Sequence, residues 1–343
     1  MLNRAYTTFK EAGLNILSRR KKEQRCVGAA LCPDGMAIAV LSRSSEDDVS
    51  PVLEHAAQVC CSPDACGTTL KQMVAGLNLG NAPCVGVMPR GSYNLMQTEL
   101  PAVPADELHD AVRWQIRDLL DFPPDEAVIE TIEFEDTANG RPLSFAVAAQ
   151  RHRIQSLVNT VRDEGGLNLR AVDIPELSLR ALLHQVEGSE QGIALLILWP
   201  TEGMVVIIRG EDLCMARKVG IGLEALINAA EPQEETGVDI SMAQQNLLDD
   251  AILDIQRSLD FYESNVSRRP VRKVLIAPLD FPLPGLVEYL DTYLNPEVSF
   301  LDLNQILDQA YPRAENSDHG VEQINPCVLP AIGAALRAFE MLP

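Results

Sequence analysis

The sequence predicts an α/β protein built from two similar halves, with a smaller α/β unit inserted in the first. Three observations carry this. Two apolar runs joined by a tight turn begin at residue 26, and a comparable set begins near residue 192. Each set is followed by short apolar strands alternating with helical patterns. Between them, the stretch 95–170 carries its own helix and strand pair.

The first two runs, C-V-G-A-A-L-C and G-M-A-I-A-V-L, flank P-D-G and form a hairpin. A polar stretch (43–50) follows, then helical material to about Leu79. P-C-V-G-V-M (83–88) reads as a buried strand and 93–100 as another. Next comes E-L-H-D-A-V-R-W-Q-I-R-D-L-L-D-F-P-P-D-E, a helix ended by two prolines. On a wheel of roughly 100° per residue, Leu108, Ala111, Val112, Ile116, Leu119 and Leu120 share one face. Trp114 falls on the other, among Asp110, Arg113 and Arg117. Strands at 127–133 and 143–149 surround an N-G turn at Asn139–Gly140. A helix at 151–164 ends at Gly165–Gly166, a strand covers 168–173, and a helix runs from Pro175 to about Gln185.

The pattern then restarts. G-I-A-L-L-I-L-W, M-V-V-I-I-R and L-C-M-A-R-K-V are three strands linked by P-T-E-G and G-E-D turns. A helix after Gly222, an acidic loop (E-P-Q-E-E-T-G) and a long helix from Ser241 to Asn265 follow. In the long helix Leu248, Ile252, Ile255, Leu259 and Tyr262 form an apolar stripe. A strand at 272–277, a helix at 284–294, a strand at 297–301 and a helix at 327–340 close the chain.

With 343 residues, 46% of them hydrophobic, the chain can bury more than one core. A net charge of −21 argues against nucleic-acid binding, which needs a basic footprint. No apolar run approaches the roughly 20 residues of a membrane span, and the N-terminus has no signal-peptide core, so a cytoplasmic location is expected. Charge is uneven: residues 1–25 hold seven basic groups against Glu11 and Glu23, leaving −26 elsewhere. With Leu2, Tyr6, Phe9, Leu14 and Leu17 at near-helical spacing, this leader fits an anionic membrane surface or simple solvation. Eight cysteines, without a CxxC pair, are expected to be reduced thiols, and no metal site is expected.

Catalytic patterns are absent from the sequence. There is no Walker-type phosphate loop, no GxGxxG after a strand, no HExxH and no GxSxG. The five histidines are scattered, and His109 with Arg113 lies one turn apart on a polar helix face. No catalytic residue is expected.

Several blocks resemble one family in its own order. D-E-L-H-D-A-V-R-W-Q-I with its D-F-P-P-D-E stop is similar to the helix of the inserted subdomain of the PilM family. L-D-I-Q-R-S-L-D-F-Y-E-S (253–264) resembles the long helix of that family's second domain, and P-L-P-G-L-V-E-Y-L and P-A-I-G-A-A-L-R-A its last blocks. PilM is the actin-like cytoplasmic protein of type IV pilus assembly. In character the sequence is similar to its MshI branch, of the mannose-sensitive haemagglutinin (MSHA) pilus, and more remotely to the cytoplasmic part of GspL. The resemblance implies an actin-like, ribonuclease H-like duplicated fold. It further implies a basic leader (1–25), a first domain (26–95, 171–190 and 326–343), an inserted subdomain (96–170) and a second domain (191–325).

The nucleotide motifs of that family are where the sequence departs. Actin-like folds cradle phosphates with two hairpins, each with an Asp and a turn of N–H donors. The family's D-I-G-S-S-S falls on Ala30-Leu31-Cys32-Pro33-Asp34-Gly35, so Ala30 replaces the magnesium-ordering Asp and Pro33 removes a donor. The second D-I-G falls on Leu198-Trp199-Pro200, and the adenosine-side S-G-G-G on Ala277-Pro278-Leu279-Asp280. These degenerate positions (Ala30, Pro33, Leu198, Pro200, Pro278, Asp280) imply weak or absent ATP binding and no cofactor.

The resemblance therefore implies a non-enzymatic scaffold at the inner membrane, partnered by the cytoplasmic N-terminal segment of a PilN-like bitopic protein. The pilus assembly ATPase is a further candidate partner, and the membrane surface a third through the leader. Arg113, Trp114 and Arg117 are the expected partner-binding residues, since Trp and Arg are favoured at interfaces. An ATP-dependent switch of the same assembly is the alternative, and an actin-fold small-molecule kinase is disfavoured by the missing Asp residues.

Overall fold

The computed structural model describes residues 24–43, 51–104, 106–134, 143–230, 240–309 and 324–342. The leader to residue 23, the Asn139–Gly140 turn and the acidic loop 231–237 lie outside them.

Strands β1 (Gln24–Cys32) and β2 (Gly35–Arg43) form the first hairpin, in unbroken register from Gln24↔Arg43 to Cys32↔Gly35. Strand β3 (Val52–Cys60) runs antiparallel to β2. Helix α1 (Cys66–Gly76) leads to β4 (Pro83–Val87), which lies parallel to β1. Strand β5 (Tyr93–Gln97), helix α2 (Leu108–Ile116), β6 (Ala127–Phe134) and β7 (Leu143–Gln150) then make a separate antiparallel sheet in the order β5-β7-β6. Helix α3 (Arg151–Val158), continued by a wider π turn to Glu164, returns the chain to β8 (Asn168–Asp173), parallel to β4. Helix α4 (Pro175–His184) ends this half.

The second half repeats the plan. It comprises β9 (Ile193–Leu198), β10 (Gly203–Arg209), β11 (Asp212–Val219), α5 (Leu223–Asn228), α6 (Met242–Phe261), β12 (Lys273–Ile276), α7 (Leu286–Tyr293) and β13 (Glu297–Phe300). After β14 (Asp308–Gln309) comes α8 (Leu329–Glu340). The two large sheets run β14-β3-β2-β1-β4-β8 and β11-β10-β9-β12-β13. Leaving aside the two-residue β14, each sheet places its strands in the order third, second, first, fourth, fifth. In each, the first three strands are antiparallel and the last two join parallel. Central strands covered on both faces must be apolar throughout, and A-L-L-I-L of β9 is buried at every position.

Helix α8 crosses back onto the first sheet. A Cβ at Gly28 of β1 would stand 1.8 Å from the Ala331 carbonyl oxygen, so this strand and helix approach closer than any other residue permits. The same helix meets α4 at Gly333, where a Cβ would stand 1.8 Å from the Ser178 carbonyl oxygen. The buried Asp173 at the end of β8 fastens the pair: Ser178 Oγ donates to it at 2.7 Å and the Arg337 guanidinium pairs with it. Helix α6 starts in a capping box, with Ser241 Oγ accepting from Gln244 N–H and Gln244 Oε1 accepting from Ser241 N–H.

The structure corrects three expectations. Residues 52–60 are a strand, not helical: Ala56-Ala57-Gln58 has helix-forming composition, but hydrogen bonding along β2 overrides it. Leu119 is 64% exposed although the wheel set it on the apolar face. The α-helix stops at Ile116 and Arg117–Leu119 tightens to 3-10 geometry, which turns Leu119 outward. Asp308–Gln309, in the stretch assigned to the second half, pairs with the edge of the first sheet at Val52 and Leu53.

Candidate functional site

Two regions receive the residues singled out by the sequence: the cleft where the hairpin turns meet, and the outer face of α2.

At the cleft, Ala30 pairs with Ala37 across the hairpin and with Val87 of β4, 2% exposed. Its methyl is part of the apolar core, where a carboxylate would be an uncompensated buried charge. Pro33 sits at the exposed tip of the turn, and the Asp34 carbonyl accepts from Cys61 N–H at 3.2 Å. The second turn is held equally tightly. Leu198 is buried, Trp199 N–H donates to the Glu202 carbonyl, and the carbonyls of Trp199 and Pro200 accept from Leu223 and Glu224 N–H at the start of α5. The Trp199 N–H and the first two N–H groups of α5 are thus spent on bonds within the protein, and Pro200 supplies none. The third turn, Ala277–Asp280, follows β12, with Pro278 half-buried.

The structure brings these turns together. The Asp280 carboxyl, exposed at the surface, is raised above its ordinary value, first by partial desolvation and then by the charge of Asp34. The Cys32 thiol lies in hydrogen-bond contact with Cys327, from the segment leading into α8, and that contact, followed by burial, pushes its pKa upward. Arg90 joins the halves. Following β4, its guanidinium lies 3.8 Å from the centre of the Trp199 ring, and its Nε donates to Glu202 Oε1 at 2.7 Å. Lys218 Nζ stands 3.6 Å from the other Glu202 oxygen. Trp199 is 1% exposed, and its Nε1–H finds no partner among the described residues. Beside this latch opens a cavity of about 140 Å³ lined by Arg90, Tyr93, Glu176, Glu202 and Lys218. Tyr93 Oη donates to Glu176 Oε2 at 2.6 Å, and burial holds the Glu176 carboxyl above its ordinary value. Nothing local in V-M-P-R-G-S marks Arg90 as the latch, because its partners lie over a hundred positions away in sequence.

On α2, Val112 and Ile116 face the three-stranded sheet and bury with Ala127, Ile129, Ala146 and Ala148. Gln115 Nε2 anchors the helix to the end of β5 through Thr98 Oγ1 at 2.7 Å and the Glu99 carbonyl at 3.1 Å. The opposite face is open: Trp114 is 69% exposed, with the Arg117 guanidinium 4.6 Å from its ring centre. Arg113 Nη1 pairs with Asp110 at 2.9 Å, and Arg117 Nε with Asp118 at 3.3 Å. The structure thus groups Arg113, Trp114 and Arg117 on the exposed side of one helix. Among the described residues no cluster of three or more His, Cys, Asp or Glu could hold a metal, and no helix is long and apolar enough to cross a membrane.

No family model matches this sequence, and no curated protein does. Among solved structures, the chain is similar to one described as the PilM-PilN type IV pilus biogenesis complex. The TM-score is 0.66 at 18% identity, over 91% of this chain and 98% of that one. It is also similar to the cytoplasmic domain of EpsL, an inner membrane component of the type II secretion system of Vibrio cholerae (TM-score 0.43, 12% identity, 81% of this chain and 86% of that one). A Bacteroides thetaiotaomicron protein with an actin-like ATPase fold and unknown function has a TM-score of 0.47 at 8% identity, over 85% of this chain and 94% of that one. The fold of this chain is actin-like.

Proposed function

We propose that this protein is a non-enzymatic scaffold of a type IV pilus assembly complex, of MSHA type. Its partner is the cytoplasmic N-terminal segment of a PilN-like inner-membrane protein. The observation that carries the reading is the end-to-end likeness to the PilM-PilN structure, which covers both chains almost completely. The α2 face supports it, because an exposed tryptophan with an arginine against its ring is the kind of anchor that protein interfaces favour. The engaged Trp199 N–H, the missing donor at Pro200 and the core position of Ala30 support a pseudo-ATPase. An acidic body with a basic leader supports a place at the inner face of the membrane, held by anionic lipid.

A second reading, an ATP-dependent switch, is favoured by the approach of Asp34 to Asp280, since a divalent cation would relieve that repulsion. Calorimetric titration with magnesium and ATP separates the two. The scaffold reading expects no heat of binding at concentrations well into the millimolar range. Saturable magnesium-dependent binding near 1 μM, about 8 kcal/mol, would establish the switch instead.

A further inference from the structure

We propose that Cys61 and Cys66 are a peroxide-oxidisable dithiol, a reversible modification site beside the first hairpin. Their sulfurs stand 3.3 Å apart, both as free thiols. The backbone between them is already folded for closure. A 3-10 turn (Pro63–Ala65) links them, with Ala65 N–H donating to the Ser62 carbonyl at 2.9 Å and Cys66 N–H to the Pro63 carbonyl. The two thiols differ in access: Cys61 is partly exposed, whereas Cys66 is buried at the start of α1. Such a pairing, an accessible sulfur with a resolving one behind it, is the arrangement that converts a sulfenic acid into a disulfide rather than letting it over-oxidise.

The oxidant is hydrogen peroxide. The Cys61 thiolate attacks one peroxide oxygen and breaks the O–O bond, giving Cys61 sulfenic acid and, after proton uptake, water. Cys66 sulfur then attacks the Cys61 sulfur; the S–S bond forms, the S–OH bond breaks, and the hydroxide leaves as water with the Cys66 proton. Two thiols lose two electrons and one peroxide becomes two waters. Burial pushes the Cys66 thiol up to about 12, and its other two causes are the hydrogen bond and charge of Cys61, which oxidation of Cys61 removes. A dithiol reductant reverses the step by exchange.

The bond would act on the hairpin. Cys61 N–H holds the Asp34 carbonyl at 3.2 Å, and a Cβ on Gly35 would stand 2.1 Å from the Val59 carbonyl oxygen, so the turn rests directly on this segment. Closing the disulfide fixes the ledge that the turn leans on.

The test uses the full chain treated with peroxide, quenched, alkylated and digested with trypsin. Residues 44–71 emerge as one peptide with three cysteines, Cys60, Cys61 and Cys66. The expected product has lost two hydrogens, carries one alkyl group, and regains two alkylatable thiols after dithiothreitol. Cys60→Ser should form the same closed peptide, whereas Cys66→Ser should leave a sulfenic acid at Cys61 that dimedone traps. A peptide that keeps three alkylatable thiols, or one that closes equally well in Cys61→Ser, overturns the proposal. Circular dichroism of each variant confirms that the fold is retained.

Discussion

The two tryptophans of this chain carry the same local decoration and live in opposite surroundings. Each ring has an arginine over it, Arg90 at 3.8 Å from Trp199 and Arg117 at 4.6 Å from Trp114. Trp199 is 1% exposed and Trp114 is 69% exposed. The buried pair is worth more because it is desolvated and its arginine is also bound to Glu202, whereas the outer pair is screened by water. In the cleft an arginine closes a gap between halves; on α2 it leaves a ring face available. An identical side-chain motif can thus be cement in one place and a landing surface in another, and burial decides which.

The largest effect should follow Trp199→Ala. Emptying a fully buried indole site costs about 3–5 kcal/mol, read as a drop in denaturant midpoint. A loss under about 1 kcal/mol would break the comparison from the buried side. Next comes Arg90→Ala, which removes the ring contact and leaves Glu202 only Lys218 at 3.6 Å. About 2 kcal/mol is expected, with Arg90→Lys recovering part of it, since an ammonium keeps the charge but not the planar stacking. Full recovery in Arg90→Lys would assign the effect to charge alone, and equal losses in the two variants would assign it to the planar contact.

A smaller, pH-dependent effect belongs to Glu176. Burial raises its carboxyl, so the folded state holds a proton that the unfolded state releases. Its contribution is complete below the ordinary carboxylate value and is lost as pH rises through the raised folded value. Glu176→Gln keeps an acceptor for Tyr93 Oη and cannot ionise. The variant should match the parent in thermal midpoint near pH 4 and gain on it toward pH 8; a constant offset would contradict this. The smallest change in stability is expected for Trp114→Ala, no more than about 1 kcal/mol.

Much of the scaffold was legible because its signals are local. The repeated hairpins appear as paired apolar runs around P-D-G and P-T-E-G, and the stripe of α6 gave Leu248, Ile252 and Ile255 as core. The α2 helix was legible, but it stops at Ile116, before the two prolines that mark its end in sequence, and the 3-10 turn that follows rotates Leu119 into solvent. Strand β3 was hidden because its backbone choice is made by β2, not by its own residues. The candidate site was legible in parts: Arg113, Trp114 and Arg117 could be placed together from helical geometry alone. The Arg90 latch could not, since no pattern in residues 88–92 announces a partner on the other half.

The proposed scaffold role turns on the outer tryptophan. Calorimetry should be run with a synthetic peptide from the N-terminus of the neighbouring PilN-like membrane protein, against the parent chain and Trp114→Ala. The account predicts binding on the order of micromolar for the parent, weakened at least about tenfold in the variant, or 1.4 kcal/mol, with the thermal midpoint nearly unchanged. Equal affinity in both chains, or a variant that loses binding only because it unfolds, would contradict it.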